Sequence, residues 1–525
     1  MVSFLRLTPL LSILKPLLLA LLVASNTNAA PTPGSHIKVY VPSLPYLYVS
    51  HAINGALLKP ANNDRNWDYD LATSYRQLSD TEYEFSLRRG VVFQDGSPFN
   101  ADAVLENMTY FKKAPFLFSK FHEYYDRTEK IDDYTVRFHL KGKYGSFIND
   151  VIWLHFYTTD YLKKFGWNGK ATCPNLAEPG PYATGPYILK EGYIEGDRNT
   201  PKAVLVANPN YYAKDQINVE TVTVYTQLDS DIALEEVTDS EGQLDIMPIP
   251  VTEVASVMTS AYSKLISGPS NDNIAIHINM ITGNPKLKDK KIRQALNRAL
   301  DQQAIIKNSF FGFAESKPTL ASPNFPGVSK VAQSLKAYSE VENPKAIRQQ
   351  LTQTLKGLKL KVLTQERFMF LWKSIDRDLR KVGVELEFEV TSNETVIFEQ
   401  LLSTNAGKNT MDWDLLVWGD DDWYFNHPWS AFFVYKTDSV WSTISPDPTM
   451  NAYIDTMLTE TLNTPASTQS IRQIMQRAYD NAYMLFVPAP KKVMAVNQEV
   501  HFTPYKMATI PLWEVEITDQ HWSVK

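Results

Sequence analysis

Three adjacent carboxylates, Asp420, Asp421 and Asp422, follow the run Asp412-Trp413-Asp414-Leu415-Leu416-Val417-Trp418-Gly419, and Trp418, Trp423, Tyr424 and Phe425 flank them. Acids beside aromatic rings suit a partly dry pocket that accepts a cationic group. They equally suit a solvated turn of like charges or a helix-capping loop, and the sequence leaves both open. The second charged candidate is Arg367, in Gln365-Glu366-Arg367. Its planar fork takes a carboxylate bidentately, which lysine cannot do, although beside Glu366 it also reads as a surface ion pair. Hydrolytic and metal chemistry find little support. The nine histidines form neither an HExxH motif nor an i, i+4 pair of the kind a zinc enzyme needs. There is no Gly-x-Ser-x-Gly elbow and no phosphate loop, and Cys173, the single cysteine, sits in a Pro/Gly-rich stretch without an adjacent base. Neither enzymatic activity nor a cofactor is expected.

Both charged candidates fall at the ends of expected strands. Residues 358–364 read as a strand, 370–382 as an amphipathic helix with Leu371, Ile375, Leu379 and Val382 on one face, and 384–390 as a second strand after a stop at Gly383. Such a β-α-β unit predicts a right-handed crossover and a parallel sheet, whose ligands sit beyond the carboxyl ends of the strands. Arg367 lies in the loop after the first strand. The three acids follow the strand 412–418.

At 525 residues the chain is long enough for two or three cores. Residues 1–29 carry Arg6 and Lys15, no acid, an apolar stretch over 10–24 and small residues at Thr27-Asn28-Ala29, the pattern of a secretory leader cleaved after position 29. Lys15-Pro16 interrupts the stretch, which is short for a membrane span. With one cysteine no intramolecular disulfide can form, and no cysteine follows the cleavage site to accept lipid. The formal charge is −6, or −8 once Arg6 and Lys15 leave with the leader. It is mild and spread, without the basic cluster that nucleic acid requires. The mature chain is expected to be exported to a periplasm, unlipidated and monomeric.

The longest ordered pattern spans residues 85–111, FSLRRGVVFQDGSPFNADAVLENMTYF. Tyr83, Phe85 and Leu87 alternate as a half-buried strand at a hairpin edge, Gly90 breaks the run, Asp95-Gly96 supplies positive φ, and Asn100 caps a helix with Val104, Met108 and Phe111 on one face. This segment resembles the LR.GV.F.DG.PF.A.DV signature of family 5 extracellular solute-binding proteins, with Gln94 and Ala103 as departures. Residues 131–140, with Tyr134, Val136, Phe138 and Leu140 on one face, are similar to the family's DDYTV.F.L strand. Ala183-Thr184-Gly185-Pro186-Tyr187 resembles its GTGPY element, Asn208-Pro209-Asn210-Tyr211-Tyr212 its NP.YW element, and residues 290–312 its RQALN.A.D...I element, with Asp301 as a helix cap. Core packing accounts fully for the last of these.

The resemblance implies a mixed α/β, type II-like (cluster C) periplasmic binding protein, with two α/β lobes joined by a hinge and an extra inserted domain. The expected division is lobe I at 30–65, 183–285 and 500–525, inserted lobe II at 66–182, and lobe III at 286–499. It further implies an ABC importer's receptor that captures a peptide between two lobes and delivers it to membrane permease subunits. A receptor enclosing a peptide must compensate a terminal ammonium and carboxylate that lose their water. Peptide receptors of the family place an ammonium-binding Asp near this position, which puts Asp422 first, then Asp420 and Asp421, with Trp423 beside them. They place a carboxylate-binding Arg where Arg367 stands, and main-chain pairing to an extended ligand falls to Leu416, Val417, Trp418 and Gly419. The alternatives within the family are a nickel chelate, for which the chain offers His155, His427, Trp153 and Trp418, or another small solute such as an opine or sugar. A sensor or chaperone that has lost transport is the reading from a different class.

Overall fold

Alternating β-branched residues build three large sheets among the described residues. The computed structural model describes residues 31–525 apart from 43–44, 64, 113–119, 167–177, 195–199, 421, 423 and 425–426. The leader and Cys173 therefore lie outside the described residues. In chain order, the first part contributes β1 (Thr32–Tyr40), α1 (Pro45–Ile53), β2 (Ala72–Ser79), β3 (Glu82–Leu87), α2 (Ala101–Phe111), β4 (Tyr125–Asp132), β5 (Thr135–Leu140) and α3 (Phe147–Val151). The middle adds β6 (Tyr187–Glu191), β7 (Lys202–Ala207), β8 (Val219–Tyr225), β9 (Ile246–Pro248), β10 (Ser263–Gly268), β11 (Asn273–Ile278), α4 (Lys290–Ala299) and α5 (Gln302–Ser309). The last part carries β12 (Lys359–Gln365), α6 (Met369–Arg380), β13 (Glu385–Thr391), α7 (Glu394–Thr404), β14 (Leu415–Asp420), α8 (Pro465–Asn481), β15 (Met484–Leu485) and β16 (Lys492–Asn497).

Lobe I is a seven-stranded sheet in the order β10-β16-β9-β1-β8-β7-β6, lobe II a four-stranded sheet β2-β3-β5-β4, and lobe III a five-stranded sheet β13-β12-β14-β11-β15. Each has its own apolar core, around Val39 and Val222 in lobe I, Phe85 and Phe138 in lobe II, and Ile276, Leu363 and Trp372 in lobe III. The β-α-β unit is present: β12 and β13 pair in parallel from Lys359↔Glu385 to Gln365↔Thr391. Leu371, Ile375 and Leu379 turn α6 inward, and Gly383 takes φ 83° just past its end, a left-handed turn that favours glycine.

Two sheet memberships depart from the sequence division. β11, expected in lobe I, pairs with β14 and β15 in lobe III, and β16, expected in lobe III, pairs with β9 and β10 in lobe I. The chain thus crosses between the lobes twice, at 269–272 and at 486–491. β11 and β16, which follow the two crossings, are buried on both faces along almost their whole length, and that pattern fits either sheet. The hairpin-edge reading of 83–87 also changes, because β3 lies inside its sheet between β2 and β5. The rest of that segment keeps its expected local chemistry. Gly96 has φ 87°, Asn100 Oδ1 accepts from Ala103 N at 3.2 Å, and Val104, Met108 and Phe111 are buried.

The departure at Gln94 has a structural role. Buried, it donates to Ile53 O at 3.1 Å and Tyr187 O at 2.8 Å and accepts from Ala183 N at 3.1 Å, tying lobe II to lobe I. Within lobe I, Gly185 brings its main chain against the end of α1, since a Cβ there would stand 2.3 Å from Ile53 O.

Lys317, between α5 and β12, is 1% exposed, and its Nζ donates to Leu320 O at 2.6 Å with no carboxylate paired to it among the described residues. Burial holds its pKa down to about 7. In the unfolded chain a lysine titrates near 10.4, roughly. Between these values the unfolded state binds more protons, so stability rises with pH through the window and levels off above it; below the folded value both states are charged and the penalty is complete. Lys317→Met should therefore raise the melting temperature at neutral pH and flatten the alkaline rise. Urea midpoints for both chains across this window check it, and parallel curves would refute it.

Candidate functional site

The carboxyl end of β14 meets the first inter-lobe crossing. β11 runs antiparallel beside it, with Asn273 opposite Asp420 and Ile274 opposite Gly419. On its other side β14 pairs with β12 only at Leu415 and Leu416. From Val417 onward, among the described residues, one edge of the strand has no ladder partner. Gly419 brings the main chain close to the end of β12, since a Cβ there would lie 3.0 Å from Phe368 Cζ. A cavity of about 280 Å³ opens between the lobes at the start of β11, and none of Arg367, Val417, Trp418, Gly419 or Asp422 lines it. Tyr48, Ile249 and Pro250 line it from lobe I, Ile274, Phe310 and Phe370 from lobe III, and Asp272, Lys491 and Lys492 from the crossings and the start of β16.

The expected site residues are partly brought together. Asp422 is fully buried, its Oδ2 accepting from Asn271 Nδ2 at 2.8 Å and its Oδ1 from Ser430 Oγ at 2.9 Å, so it ties the strand-end loop to the crossing. Asp420 closes β14, while Asp421 and Trp423 lie outside the described residues. Arg367 stands at the end of β12, half exposed at 52%; it donates to Gln365 Oε1 at 3.0 Å and pairs with Glu394 at 2.9 Å. Two members point elsewhere. Val417 is buried in the lobe III core, and Trp418 stacks on Trp441 at 5.8 Å with Phe398 and Phe433 edge-on. They can contribute main chain to the cleft; their side chains belong to packing.

Asp272 escaped sequence reasoning. It lines the cavity, and its Oδ1 is buried without a hydrogen-bond partner among the described residues. The polar run Ser270-Asn271-Asp272-Asn273 ahead of an apolar strand was the available signal. An acceptor without a partner in an apolar cleft, near two lysines, makes a site with both charge signs.

His427 and His155 are held neutral. His427 is buried, takes a hydrogen bond from Trp429 N at Nδ1 and has Nε2 3.1 Å from Ser146 Oγ; burial pulls its pKa to about 3. His155 is buried with its ring edge-on to His51 at 4.7 Å, and desolvation followed by His51 lowers its pKa well below the usual value. No group of three or more metal-ligating side chains occurs among the described residues, and none of their helices is long and apolar enough to cross a membrane.

Among solved structures, the chain is similar to the ABC transporter substrate binding protein CtaP from Listeria monocytogenes, with TM-score 0.74 and 18% identity over 93% of this chain and 99% of that one. It is also similar to NikA from Brucella suis in complex with Fe(III)-EDTA, with TM-score 0.73 and 17% identity over 92% of this chain and all of that one. At such identities these likenesses show the fold. In sequence it is 28% identical over 265 residues to the glutathione-binding protein GsiB of Salmonella choleraesuis, covering 48% of each. The chain spans about half the length of the curated relatives it matches. The family described as bacterial extracellular solute-binding proteins, family 5 Middle, matches residues 66–441, well over half of the sequence, and the chain belongs to that family.

Proposed function

We propose that this chain is the periplasmic receptor of an ABC importer, exported by its leader without lipidation, which encloses a short peptide between lobes I and III and delivers it to membrane permease subunits. It is a binding protein rather than an enzyme, and it needs no cofactor. The observation that carries this reading is the inter-lobe cavity at the start of β11, lined by Lys491, Lys492 and Asp272, whose Oδ1 has no partner among the described residues; β14, paired beside β11, has one edge without a ladder partner from Val417 onward among the described residues. An extended peptide adds to such an edge through its backbone, which gives affinity with little demand on side chains. Asp422, with its sequence neighbours Asp420, Asp421 and Trp423, forms the acidic end together with Asp272. Arg367 exchanges Glu394 for the ligand's carboxylate. Gly419, Val417 and Trp418 act through main chain. The glutathione named for GsiB is a tripeptide of this size and charge.

Titration calorimetry on the mature protein checks the ligand class. Glutathione and tri-alanine should both give heat, and N-acetylated tri-alanine, which lacks the ammonium, much less. Heat seen only with nickel plus free histidine would replace this reading with a metal-chelate receptor.

A further inference from the structure

The strand-end loop that holds Asp422 is docked on lobe II. Tyr424 donates its hydroxyl to Asp150 Oδ1 at 2.8 Å, and Tyr144 donates to Asp150 Oδ2 at 2.6 Å. Asn149 Nδ2 donates to Tyr424 O at 2.9 Å, and His427 Nε2 meets Ser146 Oγ. All of these residues are buried. Around them Gly145 N donates to Leu458 O at 3.1 Å, Lys143 pairs with Glu460 at 2.8 Å, and a Cβ on Gly145 would strike Glu460 O at 2.2 Å. From Tyr424 the chain of bonds continues. Tyr424 N donates to Ser430 Oγ at 3.1 Å, Ser430 Oγ donates to Asp422, and Asp422 accepts from Asn271 in the crossing segment.

We propose that Asp150 of lobe II is a positioning residue for the ligand site, the keystone of a latch that forms when lobe III closes and that sets the Asp422 loop in its ligand-holding geometry. Lobe II is bound to lobe I through Gln94, which bonds Ile53, Ala183 and Tyr187, so it moves with lobe I. When lobe III swings away, Tyr424 leaves Asp150, and the loop loses the contact that fixes its far end. A carboxylate accepting from two phenols in a buried site strengthens both bonds; Tyr144 supplies one from within lobe II, and Tyr424 adds the other only when lobe III is docked. Lobe II thereby becomes part of the binding device. The role assigned to the loop rests on the peptide-receptor reading; the latch itself does not.

Asp150→Asn keeps the shape and removes one acceptor, and Tyr144→Phe is the milder variant should the first fail to fold. In the ligand-free full-length mature protein, Asp150→Asn should speed amide exchange at Tyr424 and Ser430 by about tenfold, the loss of roughly one charged hydrogen bond. It should leave β12 and β14 protected and enlarge the radius of gyration by X-ray scattering. With glutathione or tri-alanine as probe, dissociation should quicken by a similar factor, and Tyr424→Phe should add little to Asp150→Asn. Unchanged exchange and scattering in both Asp150→Asn and Tyr144→Phe would overturn the latch. If the wild-type chain binds neither probe, the ligand reading fails, while exchange and scattering still decide the latch.

Discussion

Asp422→Ala should weaken binding of glutathione or tri-alanine by about 2–5 kcal/mol, the cost of truncating one partner of a buried, hydrogen-bonded charge contact. The carboxylate is fully buried, and it joins Asn271 in the inter-lobe crossing to Ser430 behind the loop. Alanine leaves the Asn271 amide and the Ser430 hydroxyl without this acceptor and loosens the end of β14 against β11. Asp422→Asn, which keeps one acceptor and discards the charge, separates the two contributions. If affinity survives in Asp422→Ala while the urea midpoint falls, Asp422 is a tie within the scaffold and the ammonium-binding role passes to Asp272. Calorimetry beside urea unfolding on the same preparations gives the answer.

Arg293→Met should cost about 3–5 kcal/mol of stability, as expected when a buried cation that satisfies several carbonyls is removed. Arg293 is buried in α4. Its Nε and terminal nitrogens donate to Asn481 O, Ala482 O, Leu287 O and Lys288 O at 2.8–3.2 Å. Those carbonyls belong to the segment ahead of α4 and to the end of α8, where Ala482 adopts φ 47°. One side chain thus closes two helix junctions. Methionine matches the stem and abandons the carbonyls. A loss below about 1 kcal/mol in urea unfolding would mean that water reaches them instead.

Arg293 also shows the limit of reading motifs locally. The segment 290–312 looked complete as an amphipathic helix with Leu296 and Ala299 inward, and both are buried as expected. The pattern that identifies a helix says nothing of the partners its polar residues find nearly two hundred positions later. The same holds in the 85–111 segment. Its turn glycines, its Asn100 cap and its apolar face were legible, whereas Gln94 reads as a substitution in a motif until the fold shows it bonding to Ile53 and to the segment from Ala183 to Tyr187.

At the site, the end of β12 before Arg367 was legible to within one residue and that of β14 to within two, since β14 runs over Leu415–Asp420 rather than 412–418; strand and helix periods are local, and a β-α-β unit fixes where its loops emerge. Side-chain direction was not. Trp418 looked like a wall of the pocket because it adjoins three acids, but strand alternation turns it into the core onto Trp441. The sequence by itself determined the elements, their capping and the family, since each depends on neighbours within a turn or a strand. Only the tertiary structure decided that Asp272 opens into the cleft, that Asp422 is anchored to the crossing, and that Asp150 meets Tyr424 across 274 residues of chain. Those contacts depend on how three lobes close on one another, and no local periodicity carries that geometry.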